Sequence, residues 1–182
     1  DGEKPEVAQA IFEQYMPRFA GDILPKESIG RALSLADKLD NLSATFLRGL
    51  IPTGSQDPFA LRRQTIGAVN ILTDGKIHWD IRRGIAKALE LLPGEQEVKD
   101  KVLSQVEDFF RQRIRAILLD NGIAYDIIDA VLAGPVDDIY AIFLKAQAMT
   151  ESHLKEEADL RQAVTRLANI TKGKTGGKVD PA

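Results

Sequence analysis

The sequence predicts an all-α protein, and three observations lead to that prediction. Apolar residues recur at three- and four-residue steps along most of the 182 residues. No segment shows the strict alternation of apolar and polar residues that is typical of a half-buried strand. Gly, Pro and Asn stand between the periodic segments, where helices are expected to end.

The first half of the chain is expected to form four helices. An apolar stripe runs through residues 6–19, where Pro17 interrupts it, and a longer stripe runs through residues 27–50. A third helix is expected to start at Pro58, with Asp57 as its N-cap. Asp80 is expected to cap the fourth helix, IRRGIAKALELL, which the sequence LLPGEQ ends.

The second half is also expected to be helical. A long amphipathic helix is predicted over residues 97–120, with Asn121-Gly122 as its stop signal, and a short helix over residues 125–133. Asp137 or Asp138 is expected to cap a helix that reaches Met149. A separate last helix is expected over about residues 155–171, with an inward apolar set: Leu160, Val164, Leu167 and Ile170.

We expect two helical modules, over residues 1–92 and 96–171, divided near LLPGEQ. The Gly- and Lys-rich tail, residues 172–182, is expected to be disordered.

Composition excludes several classes of site. The chain has no cysteine, so disulfides, thiolate metal sites and cysteine nucleophiles are absent, and its only histidines are His78 and His153. The formal charge of −3 argues against a generally basic nucleic-acid binder but allows local basic patches. No apolar run approaches the roughly 20 residues that span a bilayer. The chain opens on Asp-Gly without methionine, so we expect it to be part of a longer protein.

The stretch PTGSQDPFALRRQTIGAVNIL, residues 52–72, resembles a phosphate-binding loop at its start. The N–H groups of a helix start favour an anion. A Walker pattern, however, needs a lysine and a Ser or Thr directly after its second glycine, and TGSQDP offers neither. Arg62 and Arg63 are adjacent and cannot share one helix face. The stretch is therefore either a capped helix with solvated arginines or a phosphate contact for RNA.

Three further groups of charged residues are candidates. Asp37 and Asp40 lie three residues apart, so they either share a metal or proton, or form the polar edge of an amphipathic helix near Lys38. Arg111 and Arg115 share one face, with Arg113 opposite, and are either an RNA contact or a salt-bridged solvated face.

Basic residues also cluster at the C-terminal end, where they either solubilise the chain or follow an RNA backbone. They are Arg161, Arg166, Lys172 and Lys174. Trp79 is expected to be a core or interface anchor.

Four segments carry a resemblance to a known family. They are YMPRFAGDILP (15–25), ALSLADKLDNL (32–42), PTGSQDPFALRR (52–63) and RLANI (166–170). In this order and spacing they resemble the beta subunit of the bacterial heterotetrameric glycyl-tRNA synthetase. The resemblance covers the chain apart from its tail.

The resemblance implies a C-terminal fragment of that subunit. Residues 1–92 would be the end of an HD-like domain and its continuation, and residues 96–171 a DALR-type helical anticodon-binding domain. The fragment would recognise tRNA(Gly) and position it for glycylation by the alpha subunit, which uses ATP and Mg. It would lack the catalytic site, contact the alpha subunit and the remainder of the beta subunit, and be cytoplasmic. The alternative is a helical scaffold for subunit assembly that does not read RNA.

The resemblance also carries over to individual positions. Asp37 matches the last metal ligand of HD phosphohydrolases, but no histidine precedes His78, so hydrolysis is not expected. Gln56 stands where the family commonly has lysine, which weakens the case for a phosphate clamp. The candidate RNA-binding residues are Arg62, Arg63, Arg111, Arg115, Arg161, Arg166, Asn169, Lys172 and Lys174.

Overall fold

The computed structural model describes residues 2–54 and 56–171, and within these ranges the protein is built of helices. They are α1 (Pro5–Glu13), α2 (Ser28–Leu47), α3 (Leu61–Asp74), α4 (Ile81–Leu91), α5 (Gln96–Asp120), α6 (Tyr125–Leu132) and α7 (Ile139–Thr171). The described part contains no strand, only isolated bridges between Thr53 and Gln56 and between Asp80 and Asp138. The all-α prediction is confirmed.

Helix α2 is the centre of the packing. It contacts α1, α3, α4 and α5, and α5 in turn contacts α3, α4 and α6. One apolar cluster runs through these helices. Its fully buried members include Leu42, Leu61, Phe110, Ile128 and Ile139. Burying each such side chain contributes about 1.5–3 kcal/mol. The cluster contains residues from both sides of the LLPGEQ segment, and the division into two modules stays a prediction.

The start of α3 differs from the prediction. The helix begins at Leu61, because Ala60 adopts a left-handed conformation with φ of 54° and ends a turn that starts at Asp57. Pro58 therefore lies in the turn and not in the first helical position. The carboxylate of Asp57 still accepts hydrogen bonds from the N–H groups of Leu61 (2.8 Å) and Arg62 (2.9 Å). Asp57 thus stabilises the helix start from a position further upstream than predicted.

Helix α7 also differs, because the two helices predicted after Pro135 are one continuous helix of 33 residues. The connecting sequence TESHLK contains no Gly or Pro to end the helix, and Thr150 donates its hydroxyl to the carbonyl oxygen of Ala146 (2.8 Å). Leu160 and Val164 were expected to face inward but are exposed. The side chains of Leu167 and Ile170, and the tail 172–182 with its predicted disorder, lie outside the described residues.

Helix α1 ends at Glu13, earlier than the expected residue 19. The following segment, 14–27, crosses the surface as turns and irregular chain. Ala10 is the buried apolar residue of the stripe. The stripe residues Val7, Ile11, Tyr15 and Phe19 are exposed, as are Ile29, Leu50 and Val98 of other predicted apolar faces.

Candidate nucleic-acid interface

Arg111 of α5 is half-buried, and its guanidinium is bonded to other parts of the chain. Its guanidinium donates hydrogen bonds to the carbonyl oxygens of Leu132 and Gly134 and to the carboxylate of Glu107. Carbonyl oxygens at the end of α6 have no partner within their own helix, so these bonds tie α5 to the end of α6. This gives Arg111 a structural role, and its contact with RNA stays a prediction.

Glu107 is the carboxylate that neutralises this arginine. It is buried and accepts hydrogen bonds from Arg82 (2.7 Å), from Arg111 (3.2 Å) and from the backbone N–H of Val136 (3.2 Å). A buried carboxylate is tolerated when it is paired and hydrogen-bonded in this way. The spacing of four residues along α5 places Glu107 and Arg111 on the same face of the helix, where they form an ion pair.

Arg115 is paired with Asp129 of α6 across the surface. The guanidinium of Arg113 instead lies 4.3 Å from the ring centre of Phe109. Its Nε is buried and has no hydrogen-bond partner among the described residues. Burial, and then the nearby charge of Arg62, lower the pKa of Arg113, whereas Asp57 raises it. The sequence did not identify this proximity of α3 and α5, because it is set by tertiary packing.

Arg62 and Arg63 diverge, as adjacent helical residues must. Arg62 donates to the carbonyl oxygen of Gly54 (2.6 Å) and so closes the loop before α3. Arg63 is exposed, and the described residues provide it with no ion pair or hydrogen bond. It is one of the residues that line a groove of about 910 Å³ between α3 and residues 17–24. We call this the α3 groove; its lining includes Pro17, Phe19, Arg63, Ile66, Gly67 and Asn70.

A buried lysine holds one wall of the α3 groove. The ammonium of Lys38 donates to the carbonyl oxygen of Met16 (2.8 Å) and to the hydroxyl of Ser34 (2.7 Å), which itself donates to Met16 (2.6 Å). Lys38 is 3% exposed, and burial lowers its pKa to about 8 although Asp37 opposes the shift. A Cβ at Gly67 would lie 3.0 Å from Lys38 and 3.1 Å from Pro17, so glycine allows this wall to approach α3 closely.

The acidic residues of the α3 groove already have partners. Arg18 contacts both carboxylate oxygens of Asp22 (2.8 and 3.0 Å), and these hydrogen bonds hold the pKa of Asp22 well below its usual range. Asp57 accepts from the start of α3, and Asp74 pairs with Arg31 (3.3 Å). The groove therefore presents Arg63 as a cation without a matching carboxylate.

The C-terminal candidates are only partly placed. Arg166 is exposed on α7. Arg161 and Asn169 lie on the same helix, but their side chains are outside the described residues, as are Lys172 and Lys174 entirely. Arg111 and Arg115 bond to Leu132 and Asp129 of α6 and do not line the α3 groove.

Asp37 does not belong to a cluster of potential metal ligands among the described residues. Its carboxylate accepts hydrogen bonds from the side-chain amides of Gln14 (3.1 Å) and Asn41 (3.3 Å). Across residues 2–54 and 56–171, no three His, Cys, Asp or Glu side chains come close enough to hold a metal ion. In the same ranges, no helix is long and apolar enough to cross a membrane.

Comparison with known proteins gives the family. Residues 1–133 match the family model described as glycyl-tRNA synthetase beta subunit. The chain is 43% identical over 183 residues to the glycine–tRNA ligase beta subunit of Desulforamulus reducens, covering 98% of this chain and 26% of that one. For the protein of that name from Clostridioides difficile the identity is 41% over 180 residues, covering 98% and 26%. For that from Syntrophomonas wolfei it is 47% over 152 residues, covering 82% and 22%. The chain thus spans about a quarter of the length of these relatives, and it belongs to the glycyl-tRNA synthetase beta subunit family.

Proposed function

We propose that this chain is the tRNA-recognition part of a glycine–tRNA ligase beta subunit and positions tRNA(Gly) for glycylation by the alpha subunit. The observation that carries the proposal is family membership over nearly the whole chain. Residues 96–171 would contact the anticodon arm, and residues 1–92 would be an HD-like scaffold. ATP and Mg would be used by the alpha subunit in the cytoplasm, and this part would hold no catalytic residue.

Two features of the structure support RNA binding. The first is the exposed guanidinium of Arg63, which has no acidic partner in the described part of the chain. The second is the C-terminal half of α7, where every described side chain from Glu151 to Arg166 is exposed. Arg166 near the end of this exposed helix is the type of side chain that contacts phosphate.

Fluorescence anisotropy with a labelled glycine tRNA transcript tests the proposal. We expect Arg63→Gln and Arg166→Gln each to weaken binding several-fold and to reduce the slope of log affinity against log salt by about one. Arg83→Gln is the matched control, because Arg83 is an exposed arginine on α4. Equal effects of all three variants, or no binding by the wild-type chain at low salt, would contradict the proposal.

A scaffold for subunit assembly is the second candidate, and the exposed face of α1 favours it. Ile11 and Phe12 are 54% and 55% exposed, and Val7 and Tyr15 are exposed beside them. Contiguous apolar surface of this kind is typical of protein contacts. This function predicts that Ile11→Ser with Phe12→Ser abolishes co-purification with the alpha subunit, while the wild-type chain binds no tRNA.

A further inference from the structure

Apart from Arg63, the lining of the α3 groove consists of residues that the proposed positioning role does not use. One wall is the face of α3 that carries Arg63, Ile66, Gly67 and Asn70, spaced by three and four residues. The other wall is the segment 17–24. Together they form an open groove whose volume of about 910 Å³ lies within the range of pockets that hold small-molecule-sized ligands, about 300–1,000 Å³.

Contacts within the chain hold the loop wall of the groove in place. Its loop wall is fixed by the Lys38 and Ser34 bonds to Met16, and by the contacts of Arg18 with both oxygens of Asp22. The backbone N–H of Ile23 also donates to Asp22 (2.9 Å). A wall already held by these contacts loses less conformational freedom when a ligand binds, which favours affinity.

The chemistry of the exposed lining is mixed. Phe19 is 54% exposed, and the guanidinium carbon of Arg18 lies over its ring, 5.7 Å from the ring centre. Ile66 adds a partly exposed apolar surface opposite. The side-chain amide of Asn70 has no hydrogen-bond partner among the described residues, and Arg63 has no ion pair there. The groove thus offers an aromatic ring, an amide with donors and an acceptor, and a free cation.

We infer that the α3 groove binds an unpaired nucleotide of the tRNA, an inference that rests on the proposed function. An unpaired base has a flat face that stacks on an aromatic side chain, and edges that hydrogen-bond to an amide. Its phosphate is the natural partner of Arg63. A base inside a duplex offers neither face, because both faces are already stacked, so the groove selects single-stranded RNA.

A peptide is the less suitable occupant. The described part of the chain offers no sheet edge to which an extended peptide could add as a strand. An amphipathic helix would need a continuous apolar strip, and Arg63 and Asn70 interrupt the apolar lining of α3.

Site-specific photo-crosslinking tests the inference. The full chain would carry benzoylphenylalanine in place of Phe19, or in place of Leu91 as a control that is 75% exposed on α4. After irradiation with glycine tRNA, reverse-transcription stops locate the crosslink. We expect a crosslink from position 19 to an unpaired nucleotide, and none from position 91.

Binding variants separate this inference from the proposed function. We expect Phe19→Ala and Asn70→Ala each to weaken tRNA binding about tenfold, whereas Phe12→Ala, at an equally exposed phenylalanine on α1, leaves it unchanged. Circular dichroism checks that each variant is folded.

If the wild-type chain binds tRNA and neither Phe19→Ala nor Asn70→Ala weakens that binding, the inference is overturned and the proposed function stands. A position-19 crosslink confined to paired nucleotides, or to the alpha subunit when it is present, would also overturn the inference. Failure of the wild-type chain to bind tRNA would remove the proposed function itself.

Discussion

The burial of Lys38 is not what the residues next to it in the sequence indicate. It stands beside Asp37 in a segment that reads as the polar edge of a helix, yet it is buried. Its partner is the carbonyl oxygen of Met16, 22 residues earlier, and no local pattern could reveal that contact. Arg111 is similar, because its carbonyl partners at Leu132 and Gly134 are equally remote.

The pKa of Lys38 gives a prediction about stability and pH. Burial lowers this pKa from 10.5 to about 8, so the folded protein binds the proton less tightly than the unfolded chain. The cost of the buried charge is therefore fully present below pH 8 and disappears as the pH rises toward 10.5. Relative to Lys38→Met, the wild-type free energy of unfolding should increase by on the order of 2 kcal/mol between pH 7.5 and pH 10.

Urea unfolding at the two pH values measures this difference. Lys101→Met, at an exposed lysine of α5, is the control and should show no such pH-dependent difference from wild type. If wild type and Lys38→Met differ in free energy of unfolding by the same amount at both pH values, burial does not lower the pKa of Lys38 as described.

At the scale of elements, the local sequence predicts most of the helices but not which of their surfaces pack against one another. The strong periodicity and end signals of α4, α5 and α6 gave bounds within one or two residues of those observed. The start of α3 was displaced by the left-handed turn at Ala60. The two helices predicted after Pro135 form the single helix α7, because residues 150–155 contain no Gly or Pro that would end it. The α3 groove could not be predicted, since it depends on how segment 17–24 packs on α3.

The packing of α4 on α2 depends on a glycine. A Cβ at Gly84 would lie 2.3 Å from the Trp79 ring and 2.9 Å from Leu39. Gly84→Ala should therefore destabilise the fold by about 1–3 kcal/mol through overpacking. It should also displace Trp79, whose fluorescence is specific because it is the only tryptophan in the chain.

Gly134→Ala provides the control for this change. A Cβ there meets no atom within 4 Å, so neither stability nor emission should change. If Gly84→Ala, like Gly134→Ala, changes neither the Trp79 emission nor the stability, Trp79 does not pack against α4 at Gly84.

At the scale of the whole molecule, the core is continuous. Leu42 and Ile85 precede the LLPGEQ segment, Phe110 and Ile128 follow it, and all four belong to one buried cluster. We therefore expect a single cooperative thermal transition by calorimetry, with calorimetric and van't Hoff enthalpies equal. Two resolved transitions would contradict that expectation and would indicate that segments 1–92 and 96–171 unfold independently.

Recognition of the anticodon is the central claim for the whole chain. The most direct test is a fluorescence-anisotropy titration of this chain with glycine tRNA and with the same tRNA carrying a replaced anticodon, at two salt concentrations. We predict tighter binding to the native anticodon at both salt concentrations, since contacts to unstacked bases are worth on the order of 1–3 kcal/mol each. Equal affinities that both vanish at the higher salt would contradict the account, because they would leave only phosphate contacts without sequence reading.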